Sequence, residues 1–381
     1  MAWAIVETPE GDLVAVGITG PTPCQLGCNW DGWVIKTDAQ GHLLWTRQYG
    51  GNGADLLTSV ILSGHDYVMT GSKYVFPYAR QAWLLKITPD GNLLWEKTFG
   101  GEQDDSGTDL IAIPQGGWFM IGQTKSFGSR NGGADVWLVR LDANGNTVWS
   151  QTYDLGGEDM GTSLAPFQRD SYIITAITCT GNCGELLQQG FASYLVIDST
   201  GKVLKTQTFT EGKKNKFMKI KPTEDGGAVI VGATSAREKF PSEDTWLVKL
   251  DANANISWMK ILESYGAYDG GLDIVQTPDG GYVIAAYSQI YQTPSMNYDN
   301  FWMLRLSDKG DVLWTRLWGG PHNDDARALT PTLDGGFVLA GFRDAVSWPL
   351  DEIPGPADFY LVKTTANAQR TFLPLGFGDT H

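Results

Sequence analysis

The apolar positions of this chain fall into short runs separated by polar, turn-forming clusters. Val136–Leu141 and Tyr282–Ala286 show the type: β-branched and aromatic residues bounded by Gly, Asp and Asn. Such runs read as strands, because branched and aromatic side chains suit a half-buried pleated surface. No window carries a long apolar period of 3.6 residues, so almost no helix is predicted.

The pattern recurs. An aromatic followed by an aliphatic opens the third strand of each repeat, at Trp33, Trp83, Trp137, Tyr194, Trp246, Trp302 and Tyr360. These seven positions are spaced by 50, 54, 57, 52, 56 and 58 residues. A turn residue with an aromatic four positions on follows in five repeats: Gly41 and Trp45, Gly91 and Trp95, Gly145 and Trp149, Ala254 and Trp258, Gly310 and Trp314. Gly201 with Lys205 and Ala368 with Phe372 are degenerate versions. A D-G-G type hairpin turn stands at Asp225, Asp279 and Asp334, with variants at Glu10, Gly64, Gln115 and Arg169. Turns such as Asp142–Asn146 need positive φ, which Asn and Gly supply at little cost.

A repeat of this length, made of four short strands, is a propeller blade. The sequence therefore predicts an all-β, seven-bladed β-propeller with four antiparallel strands per blade, A innermost to D outermost. Single blades cannot bury both faces, so one domain is expected over residues 1–381. The blades fall at 1–51, 52–101, 102–157, 158–211, 212–266, 267–320 and 321–381. Strand A of blade one begins at Ala2 and strand D of blade seven ends near Leu375, which predicts sequential closure without strand exchange.

Composition narrows the partners. Lys and Arg number 28 against 43 Asp and Glu, a net charge of −15, which repels phosphate backbones and argues against nucleic acid. The single basic run, Lys213, Lys214 and Lys216, reads as a solvated loop. No segment approaches the ~20 apolar residues of a membrane span. No leader opens the chain, consistent with a cytosolic protein or a trimmed mature form. Cysteines form two spaced pairs, Cys24 with Cys28 and Cys179 with Cys183, at the same place in blades one and four. Two local disulfides are the favoured reading, with paired metal-binding thiols and free thiols as alternatives. Disulfides place the protein outside the cytoplasm.

The strings L-D-A-N-G-N-T-V-W (Leu141–Trp149) and D-G-G-F-V-L-A-G (Asp334–Gly341) resemble repeats of secreted or cell-surface bacterial and archaeal β-propeller proteins. The first also resembles the blade motif of quinoprotein dehydrogenases, and the strand order is similar to that of WD40 blades. The resemblance implies an extracellular, cell-surface or periplasmic location. It implies no chemistry, since propellers host many. Quinoprotein alcohol dehydrogenases typically have eight blades and often an adjacent cysteine pair. This chain has seven repeats and no adjacent cysteines, so no quinone is expected.

By analogy with WD40 blades, the D–A and B–C loops share one end of the fold, and here both are long or irregular. Acidic residues recur in the D–A loops: Asp55, Asp104, Asp105, Glu158, Asp159, Asp269, Asp324 and Asp325. They read either as acceptors for turn N–H groups or as ligands for calcium, with Asp105, Asp109, Asp269 and Asp273 the metal candidates. Aligned by the hairpin turn, one strand A position reads Ala4, Thr58, Asp109, Ser163, Lys219, Asp273, Ala328. Variation inside a regular repeat marks Asp109, Asp273, Lys219 and nearby Lys221 as ligand-binding candidates. Trp30 and Trp348 lie off the Trp template in B–C loops, as does Tyr78, and aromatic tips beside carboxylates suit sugar rings. If the protein is an enzyme, Lys219 or His322 is the candidate base, with Asp325 orienting the histidine. The expected function is a monomeric secreted or surface module binding a glycan or similar polar ligand. The alternatives are a polysaccharide lyase or cation-dependent hydrolase at the channel mouth, and a protein-interaction scaffold.

Overall fold

Each repeat predicted from the sequence becomes one four-stranded sheet. The computed structural model describes the chain outside residues 20–29, 78, 129–131, 169, 181–189, 213, 236–242, 263–267, 294–295, 320–322, 346–357, 366–369 and 372–381. Blade one is β1 (Ala2–Glu7), β2 (Leu13–Thr19), β3 (Asp31–Thr37) and β4 (Leu43–Tyr49). Blade two is β5 (Leu56–Ser63), β6 (Asp66–Tyr74), β7 (Arg80–Ile87) and β8 (Leu93–Phe99). Blade three is β9 (Asp105–Ala112), β10 (Trp118–Thr124), β11 (Asp135–Leu141) and β12 (Thr147–Tyr153). Blade four is β13 (Glu158–Pro166), β14 (Ser171–Cys179), β15 (Gly190–Asp198) and β16 (Val203–Phe209). Blade five is β17 (Asn215–Pro222), β18 (Ala228–Thr234), β19 (Asp244–Leu250) and β20 (Ile256–Leu262). Blade six is β21 (Asp269–Gln276), β22 (Tyr282–Thr293), β23 (Met296–Leu306) and β24 (Val312–Trp318). Blade seven is β25 (Asn323–Pro331), β26 (Phe337–Ala345), β27 (Asp358–Thr364) and β28 (Arg370–Thr371).

Every sheet is built from four consecutive strands, each paired with its sequence neighbour. The chain is thus all-β, a seven-bladed β-propeller with no strand exchanged between blades. No described helix is long and apolar enough to cross a membrane. The chain gathers into two compact units, Met1–Gly161 with Thr330–Gly341 and Gly355–His381, and Thr162–Leu329 with Phe342–Pro354.

In the first unit, Val16, Leu57, Met69 and Trp83 pack blade one on blade two, and Leu84, Leu110, Met120 and Trp137 pack blade two on blade three. Blade seven meets blade one here. The Leu333 N–H donates to Glu7 at 2.8 Å, Lys363 donates to the Ala39 carbonyl at 3.0 Å, and the rings of Trp33 and Phe359 meet edge-on at 5.2 Å. In the second unit, Phe217 and Trp246 stack at 4.7 Å, with Tyr194 and Ile230 in the same cluster. Val231, Ile284 and Trp302 join blades five and six. Burying such a side chain in full contributes about 2–3 kcal/mol, which is why the B and C strands carry apolar residues on both faces.

The strand D tryptophans predicted from the repeat have a defined partner. A Cβ on Gly145 would lie 2.8 Å from the Trp95 ring, and one on Gly310 would lie 2.9 Å from Trp258. Both glycines also have positive φ, so the turn needs glycine twice over. At the start of several D strands, paired aliphatics stay exposed: Leu43 and Leu44, Leu93 and Leu94, Val203 and Leu204, Val312 and Leu313.

Strand A bulges in blades two, three, five and six. The register shifts between Leu57 and Ser59, Gly107 and Asp109, Phe217 and Lys219, and Gly271 and Asp273. A glycine on strand B makes room for this: a Cβ on Gly71, Gly122 or Gly232 would lie 1.9, 1.8 and 1.8 Å from a strand A carbonyl oxygen. A second recurring device escaped the sequence reading. A cation three residues after the strand C aromatic pairs with the A–B turn aspartate. The pairs are Lys36–Asp12 at 3.0 Å, Lys249–Asp225 at 2.7 Å and Lys363–Asp334 at 2.7 Å.

Candidate functional site

The recurring D–A loop aspartates act as clips. Asp55 accepts N–H bonds from Gly51 and Tyr74 at 2.7 Å each. Asp105 accepts from Gly101 N–H, from Ser126 and from the Thr124 hydroxyl, and Asp159 accepts from Leu155 N–H. Asn215 fills the same place in blade five, donating to the Phe209 and Glu211 carbonyls. Asp269 is fully buried, and its N–H bonds the Glu243 carbonyl at 2.7 Å. These geometries match the turn-acceptor reading of the repeat.

Asp109 and Asp273, four residues further along, are also occupied. Asp109 accepts from the Ser59 hydroxyl at 2.9 Å and from Leu110 N–H at 3.0 Å. Asp273 accepts from Ile274 N–H at 2.8 Å and Leu329 N–H at 2.9 Å, so it ties β21 to β25. Asp273→Ala is expected to cost about 1.5 kcal/mol, because it strands the buried Leu329 N–H. Urea unfolding checks this, and an unchanged midpoint would contradict the tie.

The other predicted residues are dispersed. Lys219 is half-buried in β17, and Lys221 lies near the opposite end of that strand beside Thr223, Glu224 and Gln276. Trp30 is half-buried, and its backbone bridges Ala54 in the neighbouring D–A loop. Cys179 is 7% exposed at the end of β14. Cys24, Cys28, Cys183, Tyr78, His322 and Trp348 lie outside the described residues, and with them both predicted cysteine pairings.

Side chains that break the repeat converge three residues upstream of the position singled out in the sequence. The residue after each clip reads Leu56, Ser106, Met160, Lys216, Gly270, Asp325. At the bulge, Thr58, Thr108 and Thr162 hold backbone or a neighbouring threonine through their hydroxyls. The same place in blades five to seven reads Met218, Leu272 and Arg327. The regular pattern therefore lapses in three consecutive blades, all within the second unit.

Those blades bring together Glu243, Tyr287, Gln289, Asp299, Asp325 and Arg327. The hairpin of β22 and β23 supplies three of them. The sequence reading made this stretch a loop, but the ladder continues to Thr293 and sets Gln289 opposite Asp299. Gly270 makes the next contribution, since a Cβ there would lie 2.5 Å from the Tyr287 ring. The Tyr287 hydroxyl reaches Glu243 at 3.4 Å. Lys214 and Lys216 flank Glu243 at 3.5 and 3.0 Å, so these two lysines of the predicted solvated run are ion-paired instead, while Lys213 lies outside the described residues. Burial alone would raise the Glu243 carboxyl, but these two ammonium groups outweigh it and hold it below its ordinary value.

The far end of the cluster is different. Arg327 contacts Asp325 Oδ2 at 2.6 Å and lies over the Phe342 ring. Asp325 is 5% exposed, and its Oδ1 is buried without a hydrogen bond among the described residues. Gln289 donates to Asp299 Oδ1 at 3.4 Å, and Asp299 N–H donates to Asn323 at 3.1 Å. Burial, then the charge of Asp325, pushes Asp299 up to about 7 despite the opposing pull of Arg327. Burial raises Asp325 as well. Burial and the surrounding carboxylates keep the Tyr287 hydroxyl protonated. Asp299, Gln289 and Tyr287 are each half-buried and give the group its contact with solvent. The arrangement can accept donors from a ligand and can exchange a proton near neutrality.

Among the described residues, carboxylates placed to hold a metal ion are those of Asp135, Asp154 and Asp159, within 4.8 Å of one another in the first unit. None of the four predicted metal candidates belongs to this group. Asp154 stands where blades one, two and six carry Gly50, Gly100 and Gly319, at which a Cβ would approach the clip carboxylate to 2.6, 2.2 and 2.9 Å.

No protein-family model and no curated protein matches this sequence. Several solved structures share the fold. A putative 6-phosphogluconolactonase from Bacteroides fragilis aligns with TM-score 0.52 at 12% identity, over 93% of this chain and 99% of that one. The Neurospora crassa Pan2 WD40 domain aligns with TM-score 0.51 at 12% identity, over 89% and 85%. A Synechocystis apocarotenoid oxygenase aligns with TM-score 0.50 at 12% identity, over 84% and 72%. At such identities the likeness is one of fold.

Proposed function

We propose that this chain is a binding module for a hydroxyl-rich polar ligand of the glycan class, held by the loop ends of blades five to seven. The observation that carries the reading is Asp325 Oδ1, a buried acceptor with no hydrogen-bond partner among the described residues. An unmet buried acceptor costs about 1–3 kcal/mol, and a ligand hydroxyl reaching it recovers that cost. Asp299, Gln289 and Tyr287 supply further polar partners at the partly open side. The repeat's likeness to secreted propellers supports an extracellular setting for the module. A glycan array followed by calorimetric titration tests the reading. Asp325→Asn is expected to weaken the best glycan about tenfold or more while the fold persists, since an amide donor replaces one acceptor. Unchanged affinity in that variant removes Asp325 from the site.

A second reading is acid–base hydrolysis, favoured by Asp299 at about 7 beside a second carboxylate. Two coupled carboxyls with separated proton affinities are what proton transfer at neutral pH requires. Chromogenic glycosides would then be turned over with a rate change centred near the Asp299 titration, lost in Asp299→Asn.

A further inference from the structure

We propose that the ligand presents a protonated amine to Asp299 and Asp325, which makes it an amino sugar within the glycan class; this rests on the binding reading above. The argument is one of charge and donors. The groups facing Asp299 are Asp325 and Arg327 on β25, Gln289 and Tyr287 on β22, and Asp269 on β21. Arg327 is the cation among them, and its contact at 2.6 Å is to Asp325 Oδ2. Lys214 and Lys216 are turned to Glu243. Among the described residues carboxylates thus exceed cations beside Asp299, and the buried, unpartnered Oδ1 of Asp325 belongs to the same group.

A hydroxyl brings one donor and no charge. An ammonium brings three donors and the missing positive charge, and it can engage Asp325 Oδ1 and Asp299 together. The pH dependence separates the two. An ammonium favours ionised Asp299, so its binding expels the proton that Asp299 holds below about 7. Affinity for the amine therefore rises with pH as Asp299 ionises, for as long as the amine itself stays protonated, whereas affinity for a neutral sugar gains nothing from the ionisation.

The experiment compares β-1,4-linked tetramers of glucosamine and of glucose by titration calorimetry at about pH 5.5 and about pH 7.5, in buffers of different ionisation heat. The expected result is about a tenfold preference for the amine at the higher pH, narrowing at the lower, with proton release on binding at the lower pH, where the sugar amine is already charged and Asp299 still holds its proton. Asp299→Asn abolishes the proton release, and Asp325→Asn abolishes the preference. Melting curves establish that each variant is folded, and proton release by the unaltered protein stands independently of them. Equal binding of both tetramers, or preference without proton release, overturns the amine inference and leaves the binding reading intact. Binding of neither tetramer, together with an empty glycan array, overturns the binding reading itself.

Discussion

Gly122→Ala lowers the stability of this protein by about 3 kcal/mol, at the upper end of the usual cost of forcing atoms into a packed interior. The added methyl would sit 1.8 Å from the Ser106 carbonyl oxygen, which is backbone and cannot swing aside. That oxygen stands so close because β9 bulges between Gly107 and Asp109. Gly51→Ala is the matched control, since nothing lies within 4 Å of its added Cβ. It is expected to change stability by no more than about 0.5 kcal/mol. Urea midpoints of the two variants decide the matter, and a Gly122→Ala protein as stable as the control would mean the bulge relaxes freely.

Asp299→Asn stabilises the protein at alkaline pH. In the folded state Asp299 titrates at about 7, against an ordinary value of 3.8. The fold therefore binds a proton that the unfolded chain has already lost, and stability falls as pH rises from about 4 to about 7. Asparagine copies the protonated side chain without the later charge. Allowing for partial exposure and for sharing of the proton with Asp325, the gain at about pH 8 is about 2 kcal/mol, with none at about pH 4. Melting temperatures of both proteins over that range check the sign. Parallel curves would show that Asp299 carries no perturbed charge.

The blade count was legible because one aromatic per repeat marks strand C, and Trp33 to Tyr360 all fall where their spacing puts them. The turns were legible for a related reason, since positive φ leaves few residue choices at Gly145 or Gly310. The site was legible only in part. In the sequence Asp325 stands out only as an orienter for His322, and strand A stands out at one varying position that draws attention to Asp109, Lys219 and Asp273. The bulge is not visible in composition, however, so alignment of the repeats points to Lys219 and Asp273, three residues from Lys216 and Gly270. Asp299 escaped notice because its strand was taken for loop. Its one signal was a carboxylate three residues before the Trp302 landmark, on a hairpin long enough to carry it upward. The cations after each strand C aromatic had a clearer signal, a fixed offset from a landmark already in hand.

The outer strands have a consequence for how copies of the molecule behave together. β4, β8, β16 and β24 each end their sheet, leaving one ladder edge without a partner strand, and each begins with two bare aliphatic side chains. An unpaired edge of this kind is a template for stacking against another chain. Mutual repulsion from fifteen excess negative charges opposes that approach. Acidification towards the isoelectric point, about 4.6, removes the repulsion while leaving the sticky edges in place, so the colloid loses its protection there.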